Sequence, residues 1–206
     1  MKLFNGFSPN GFRVAAFMHE KGIELPTETV DVMKGETRQE THLARNSLGE
    51  IPVLQLDDGT FISESIAICR YLEALNPEPA LFGSNPEEAA RIEMWNRRME
   101  QQIFGICGDY GLHVIPVFAD KVEQMPEYAE SRKRALQSNW EWLDKELSDG
   151  RTFVAGEKFS VADISGMAAL MIYGFIEALE LPENLEHVGR WVTEVRERPS
   201  FSVFSR

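Results

Sequence analysis

"GEIPVLQLDDGTFISESIAICRYLE", residues 49–73, decides how the first part of this chain folds. Two strand-like runs flank Asp58 and Gly59. An Asp-Gly pair accepts the positive φ angles of a tight hairpin turn, so the two runs should pair antiparallel. After Ser65 the apolar period changes. Ile68, Leu72 and Leu75 fall on one face of a helix.

Working back toward the start, the same grammar repeats. "KLFNGF" reads as a short strand, and Val14, Phe17 and Met18 mark a helix face. "PTETVDV" alternates as a half-buried strand does, and "ETHLARN" reads as a short helix. The order is therefore βαβαββα, a mixed sheet covered by helices.

Working forward, "NPEPALFGSNPEE" carries Pro77, Pro79, Gly83 and Pro86. Proline removes amide donors and fixes φ, so no regular element should cross it. The reading is a first domain at 1–76, a linker at 77–85 and an all-helical second domain at 86–206. Asn85 caps a helix that Pro86 opens, with Glu87 and Glu88 favourable in its first turn. Leu136, Trp140, Leu143 and Leu147 stripe a later helix. "FSVADISGMAALMIYGF" has the clearest helix start in the chain. Ser160 is the N-cap, Asp163 closes a carboxylate version of the capping box, and Phe159 and Ile164 hold the staple positions. Ile164, Met167, Ala168, Met171, Ile172 and Phe175 continue the apolar face. Asp163 is expected to matter for folding.

Composition narrows the function. The chain has 206 residues and a net charge of −12, which disfavours nucleic acid as a partner because phosphate binding needs a basic face. Cys69 and Cys107 form no CxxC pair, and a reducing cytoplasm suits them. Both are expected to be inert. No leader-like apolar run opens the chain and no run of about 18 apolar residues suggests a membrane span. No cluster suggests a metal.

Three stretches together resemble the cytosolic glutathione transferases: "SPNGFRV" at 8–14, residues 49–73, and "FVAGEKFSVADI" at 153–164. The resemblance implies a thioredoxin-like N-terminal domain, a helical C-terminal domain, a homodimer, and glutathione as co-substrate without a metal. It also implies a detoxification enzyme that joins the glutathione thiolate to a small hydrophobic electrophile. The chemistry is coherent. A free thiol has a pKa of about 8.5 and must ionise to attack, and a helix N-terminus with a nearby donor favours the anion. Ser8 and Asn10 stand at that position, and both residue types also serve as ordinary N-caps. No tyrosine or cysteine competes with them there.

The resemblance assigns further roles. Ile51–Pro52 is implied to be a cis bond that presents the Ile51 backbone to the tripeptide's cysteine. Glu64 and Ser65 are implied to hold the γ-glutamyl ammonium and carboxylate. Lys34 is the candidate for the glycine carboxylate, ahead of Arg38, while Glu50 departs from the basic or neutral residue of many relatives. Arg13 is expected to be structural. Phe104, Tyr110 and His113 are candidates for the electrophile pocket. Tyr71, Met94, Trp95 and Met99 could serve either a dimer face or the core. Two alternatives stay open: a glutathione-dependent disulfide reductase, in which glutathione forms the mixed disulfide, and a non-catalytic interaction module.

Overall fold

A computed structural model describes residues 1–120, 122–176 and 179–203. The chain forms two compact units. One comprises Met1–Leu81 with the described residues from Pro199 onward, and the other Phe82–Arg198.

In the first unit the order is β1 (Lys2–Asn5), α1 (Pro9–Lys21), β2 (Thr27–Thr29), α2 (Glu40–Leu43), β3 (Val53–Gln55), β4 (Phe61–Ile62) and α3 (Ser65–Leu75). The sheet runs β2-β1-β3-β4. β1 and β2 are parallel, whereas β3 pairs antiparallel with both β1 and β4. The Asp58 carboxylate accepts the Thr60 amide at 2.9 Å and tightens the β3–β4 turn. Phe4, Val30, Ile51 and Val53 form a core cluster on which Val32 and Phe61 pack. Val14, Phe17, Ile68 and Leu72 are buried as their spacing requires; Leu75, in the last turn of α3, is exposed.

The start of α1 rests directly on the end of β1. Asn5 Nδ2 donates to the Gly11 carbonyl at 3.1 Å. A Cβ at residue 11 would lie 2.3 Å from Asn5 Oδ1 and 2.4 Å from the Gly6 carbonyl, so only glycine allows this approach. The C-terminal turn Pro199–Ser202 also belongs to this unit. Phe201 meets Phe12 edge-on at 6.3 Å, and Ser200 donates to Glu20. The helical unit therefore ends earlier than the 86–206 span expected from sequence.

The second unit is helical: α4 (Pro86–Arg98), a π-helical stretch (Met99–Phe104), α5 (Gly105–Val114), α6 (Pro126–Glu146), α7 (Val161–Tyr173) and α8 (Glu186–Arg196). α4, the π stretch and α5 follow one another without a break. The wider π turn leaves backbone groups misaligned, and Asn139 of α6 answers one of them by donating to the Gln102 carbonyl at 2.6 Å. Leu136, Trp140, Leu143, Leu147, Met167, Ile172 and Trp191 fill the interior. Trp95 and Met99 are also interior, 3% and 0% exposed, which makes them core residues; Met94 is 42% exposed. α7 stops before Phe175, which is exposed.

Candidate active site

The α1 N-terminus is built by four consecutive residues. Ser8 is the N-cap, and its Oγ accepts the Gly11 amide at 2.9 Å. The Ser8 carbonyl accepts the Phe12 amide at 2.8 Å. Pro9 has no N–H. Among the described residues this leaves the Ser8 hydroxyl hydrogen and the Asn10 amide and side chain as donors at the helix tip, where the dipole is positive.

α3 begins beside it. The first bond along this helix runs from the Ile68 amide to the Glu64 carbonyl, so the amides of Ser65, Ile66 and Ala67 head the helix. Glu64 adopts φ 69° and ψ 114°, and is the non-glycine residue with positive φ among those described. Such backbone costs about 1–3 kcal/mol and persists only where its surroundings hold it. Its side chain caps none of the described α3 amides. Below it, buried Arg13 donates from Nη1 to Ser65 Oγ at 3.0 Å. The Ser65 hydroxyl in turn donates to Asn10 Oδ1 at 3.2 Å. Asn10's carbonyl oxygen thereby accepts from Ser65, which leaves its NH₂ as a donor.

The third wall is the turn into β3. Ile51–Pro52 is cis, as the resemblance implied; Glu78–Pro79 is also cis, which the sequence reading did not anticipate. The Glu50 carbonyl receives two donors from the α2 region, His42 Nε2 at 3.0 Å and Asn46 Nδ2 at 2.9 Å. Asn46 also accepts the Leu48 amide at 3.1 Å. These contacts pin the backbone immediately before Ile51.

Asn10, Asn46, Glu50, Ile51, Pro52, Glu64 and Ser65 line one small open cleft. Six of the residues singled out from sequence thus meet in one place: Asn10, Glu50, Ile51, Pro52, Glu64 and Ser65. Ser8 caps the helix outside that lining. Lys34 lies on the loop after β2, three-quarters exposed, with Nζ 3.2 Å from Asp31. Arg38 donates to the Leu48 carbonyl at 3.0 Å. The sequence reading missed the positioning pair His42 and Asn46. A polar pair just ahead of "GEIP" was the available signal.

The other three candidates sit in the helical unit. Tyr110 is 3% exposed and its hydroxyl pKa is raised, chiefly by burial, so it is an interior residue and not a wall. His113 is half-buried; its Nδ1 accepts the Met125 amide at 3.0 Å and its ring meets Tyr128 edge-on. It ties α5 to the start of α6. Phe104 is half-buried at the end of the π stretch. Burial pushes the Cys107 thiol well up, which keeps it protonated and unreactive. Among the described residues, no group of three or more His, Cys, Asp or Glu is arranged to hold a metal. No described helix is long and apolar enough to cross a membrane.

Comparison with known proteins gives the same assignment. The family model for the glutathione S-transferase N-terminal domain matches residues 7–75, and the C-terminal domain model matches 109–199. Glutathione S-transferase 2 of Saccharomyces cerevisiae is 36% identical over 196 residues, 93% of this chain and 83% of the relative. The crystal structure of a glutathione S-transferase domain-containing protein from Marinobacter aquaeolei superposes with a TM-score of 0.90 at 35% identity, covering 98% of this chain and 100% of the other. That of Gtt2 from Saccharomyces cerevisiae gives 0.90 at 31%, covering 98% and 99%. Both halves match in order, over nearly the full length: the chain belongs to the cytosolic glutathione S-transferase family.

Proposed function

We propose that this enzyme binds glutathione in the cleft beside the α1 and α3 N-termini, stabilises its thiolate and adds that thiolate to a small apolar electrophile. The observation that carries the reading is the meeting of two helix tips with the pinned Ile51 backbone in one cleft. Anions bind at helix N-termini because unpaired amides and the dipole both point at them.

Each group has a part. The Ser65, Ile66 and Ala67 amides receive the γ-glutamyl carboxylate, and the Glu64 carboxylate receives the ammonium. The Ile51 backbone pairs with the cysteine as an added strand does. The sulfur then lies at the α1 tip. Asn10 is the better-supported donor to it, because it lines the cleft with its carbonyl held by Ser65, whereas Ser8, whose O–H can also donate, lies outside that lining. A neutral donor and a dipole favour the thiolate over the thiol, and holding it against the electrophile removes the entropic cost of encounter. The thiolate forms the new carbon–sulfur bond. A leaving group departs with its electron pair, or a proton adds to the activated alkene. Half-buried Phe104 and His113 remain candidates for the electrophile site. A homodimer and a cytoplasmic location fit the family and the two buried free cysteines.

The test is turnover of an aryl halide with glutathione. Saturable conjugation, with KM for glutathione raised about tenfold in Glu64→Gln, supports the reading. Absence of glutathione binding by calorimetry overturns it.

A further inference from the structure

Charge in the cleft does not match the charge of glutathione. Two carboxylates, Glu50 and Glu64, line it, and no lysine or arginine does so among the described residues. The nearby cations are engaged elsewhere. Arg13 lies buried behind Ser65, Lys34 is paired with Asp31, Arg38 holds the Leu48 carbonyl, and Arg45 packs over Phe4 at 3.8 Å. Glutathione brings one ammonium and two carboxylates. Glu64 answers the ammonium and the α3 tip answers one carboxylate, which leaves the glycine carboxylate without a partner.

Its position follows from the proposed binding mode, on which this inference rests. Antiparallel partners run in opposite directions. With the γ-glutamyl end at Ser65 and the cysteine opposite Ile51, the glycine falls beside the residue that precedes Ile51. That residue is Glu50. Its carbonyl is fixed by His42 and Asn46, and the residue is exposed and belongs to the lining of the cleft.

We infer that Glu50 makes this site select γ-glutamyl thiols whose third residue carries no negative charge, an amide or a cationic amide of the glycine, over glutathione itself. Like charges a few ångströms apart at a solvated site repel modestly, so the expected preference is about three- to tenfold at low salt. It should narrow above about 0.1 M salt, where the Debye length falls to about 10 Å.

The experiment compares kcat/KM for glutathione, its glycine carboxamide and its 3-aminopropyl amide, with one aryl halide, in the full chain and in Glu50→Gln. The expected order is aminopropyl amide, then carboxamide, then glutathione, with the ratios collapsing toward one in Glu50→Gln. Equal or better use of glutathione by the unaltered enzyme overturns the inference and leaves the transferase reading intact. So do ratios unchanged by Glu50→Gln. If none of the three thiols binds by calorimetry, the transferase reading falls and this inference falls with it.

Discussion

Glu64 and Asp163 are both acids at a helix start, and the fold treats them in opposite ways. Asp163 is fully buried, and its two oxygens accept from the Val154 amide, Trp191 Nε1, the Ser160 amide and the Ser160 hydroxyl at 2.9–3.1 Å. Nothing in its surroundings is left for a ligand. Glu64 sits on strained backbone, caps none of the described α3 amides and lines a cleft. A buried carboxylate with every bond made within the chain serves folding. An exposed acid on strained backbone beside a cleft is left to meet a ligand, the part proposed for Glu64.

Asp163→Ala should break the first half of this contrast with the largest effect. Buried donors left unmade cost about 1–3 kcal/mol each, so a loss of at least about 3 kcal/mol is expected in urea unfolding, with glutathione affinity unchanged in whatever fraction stays folded. Asn10→Ala should lower kcat about a hundred- to a thousandfold, on the scale of losing one donor to a developing anion, and cost about 1 kcal/mol of stability as the Ser65 hydroxyl loses its acceptor. Ser8→Ala should cost a similar amount, about 1 kcal/mol, as a lost cap, with kcat unchanged. Glu64→Gly sharpens the contrast further. It should relieve strain and raise stability by about 1 kcal/mol, while KM for glutathione rises about tenfold as a charge-assisted bond is lost.

A third acid at a helix start supplies the smallest effect. Glu88, in the first turn of α4, accepts from the Ser84 hydroxyl and amide and pairs with Lys158, and these contacts lower its carboxyl from 4.5 to about 2. The folded pKa lies below the unfolded one. Its contribution is therefore complete above about pH 4.5 and is lost as pH falls toward 2. Glu88 lies at the surface, about a quarter exposed, and its partner Lys158 is 79% exposed, so the contribution stays under about 1 kcal/mol. Stability measured from pH 5 to 2 should fall less steeply in Glu88→Gln.

What could be read from sequence divides along the same line. The Ser160–Asp163 box, the Asn85 cap and the Asp58–Gly59 turn are local, and their physics is complete within a few residues; each is found as expected. The cleft residues Asn10, Ile51, Pro52, Glu64 and Ser65 were legible through resemblance to a family and not through periodicity. Other contacts join distant parts of the chain and leave no periodic trace. Examples are Arg13 on Ser65, His42 and Asn46 on the Glu50 carbonyl, and the packing of Phe201 against Phe12. Tyr110 was misplaced because an aromatic residue on a helix looks alike whether its face points inward or toward a pocket. The π stretch at 99–104 had no signal either, since "MEQQIF" suits an ordinary helix.

In the proposed mechanism the α1 tip ionises a bound thiol through Asn10. The direct measurement is the ultraviolet thiolate absorbance of glutathione titrated into the unaltered enzyme, Ser8→Ala and Asn10→Ala, with binding followed by calorimetry. A thiolate signal is expected in the enzyme and in Ser8→Ala, and its loss in Asn10→Ala with binding retained. A signal that survives in Asn10→Ala and vanishes in Ser8→Ala would contradict it, as would glutathione bound without a thiolate in the unaltered enzyme.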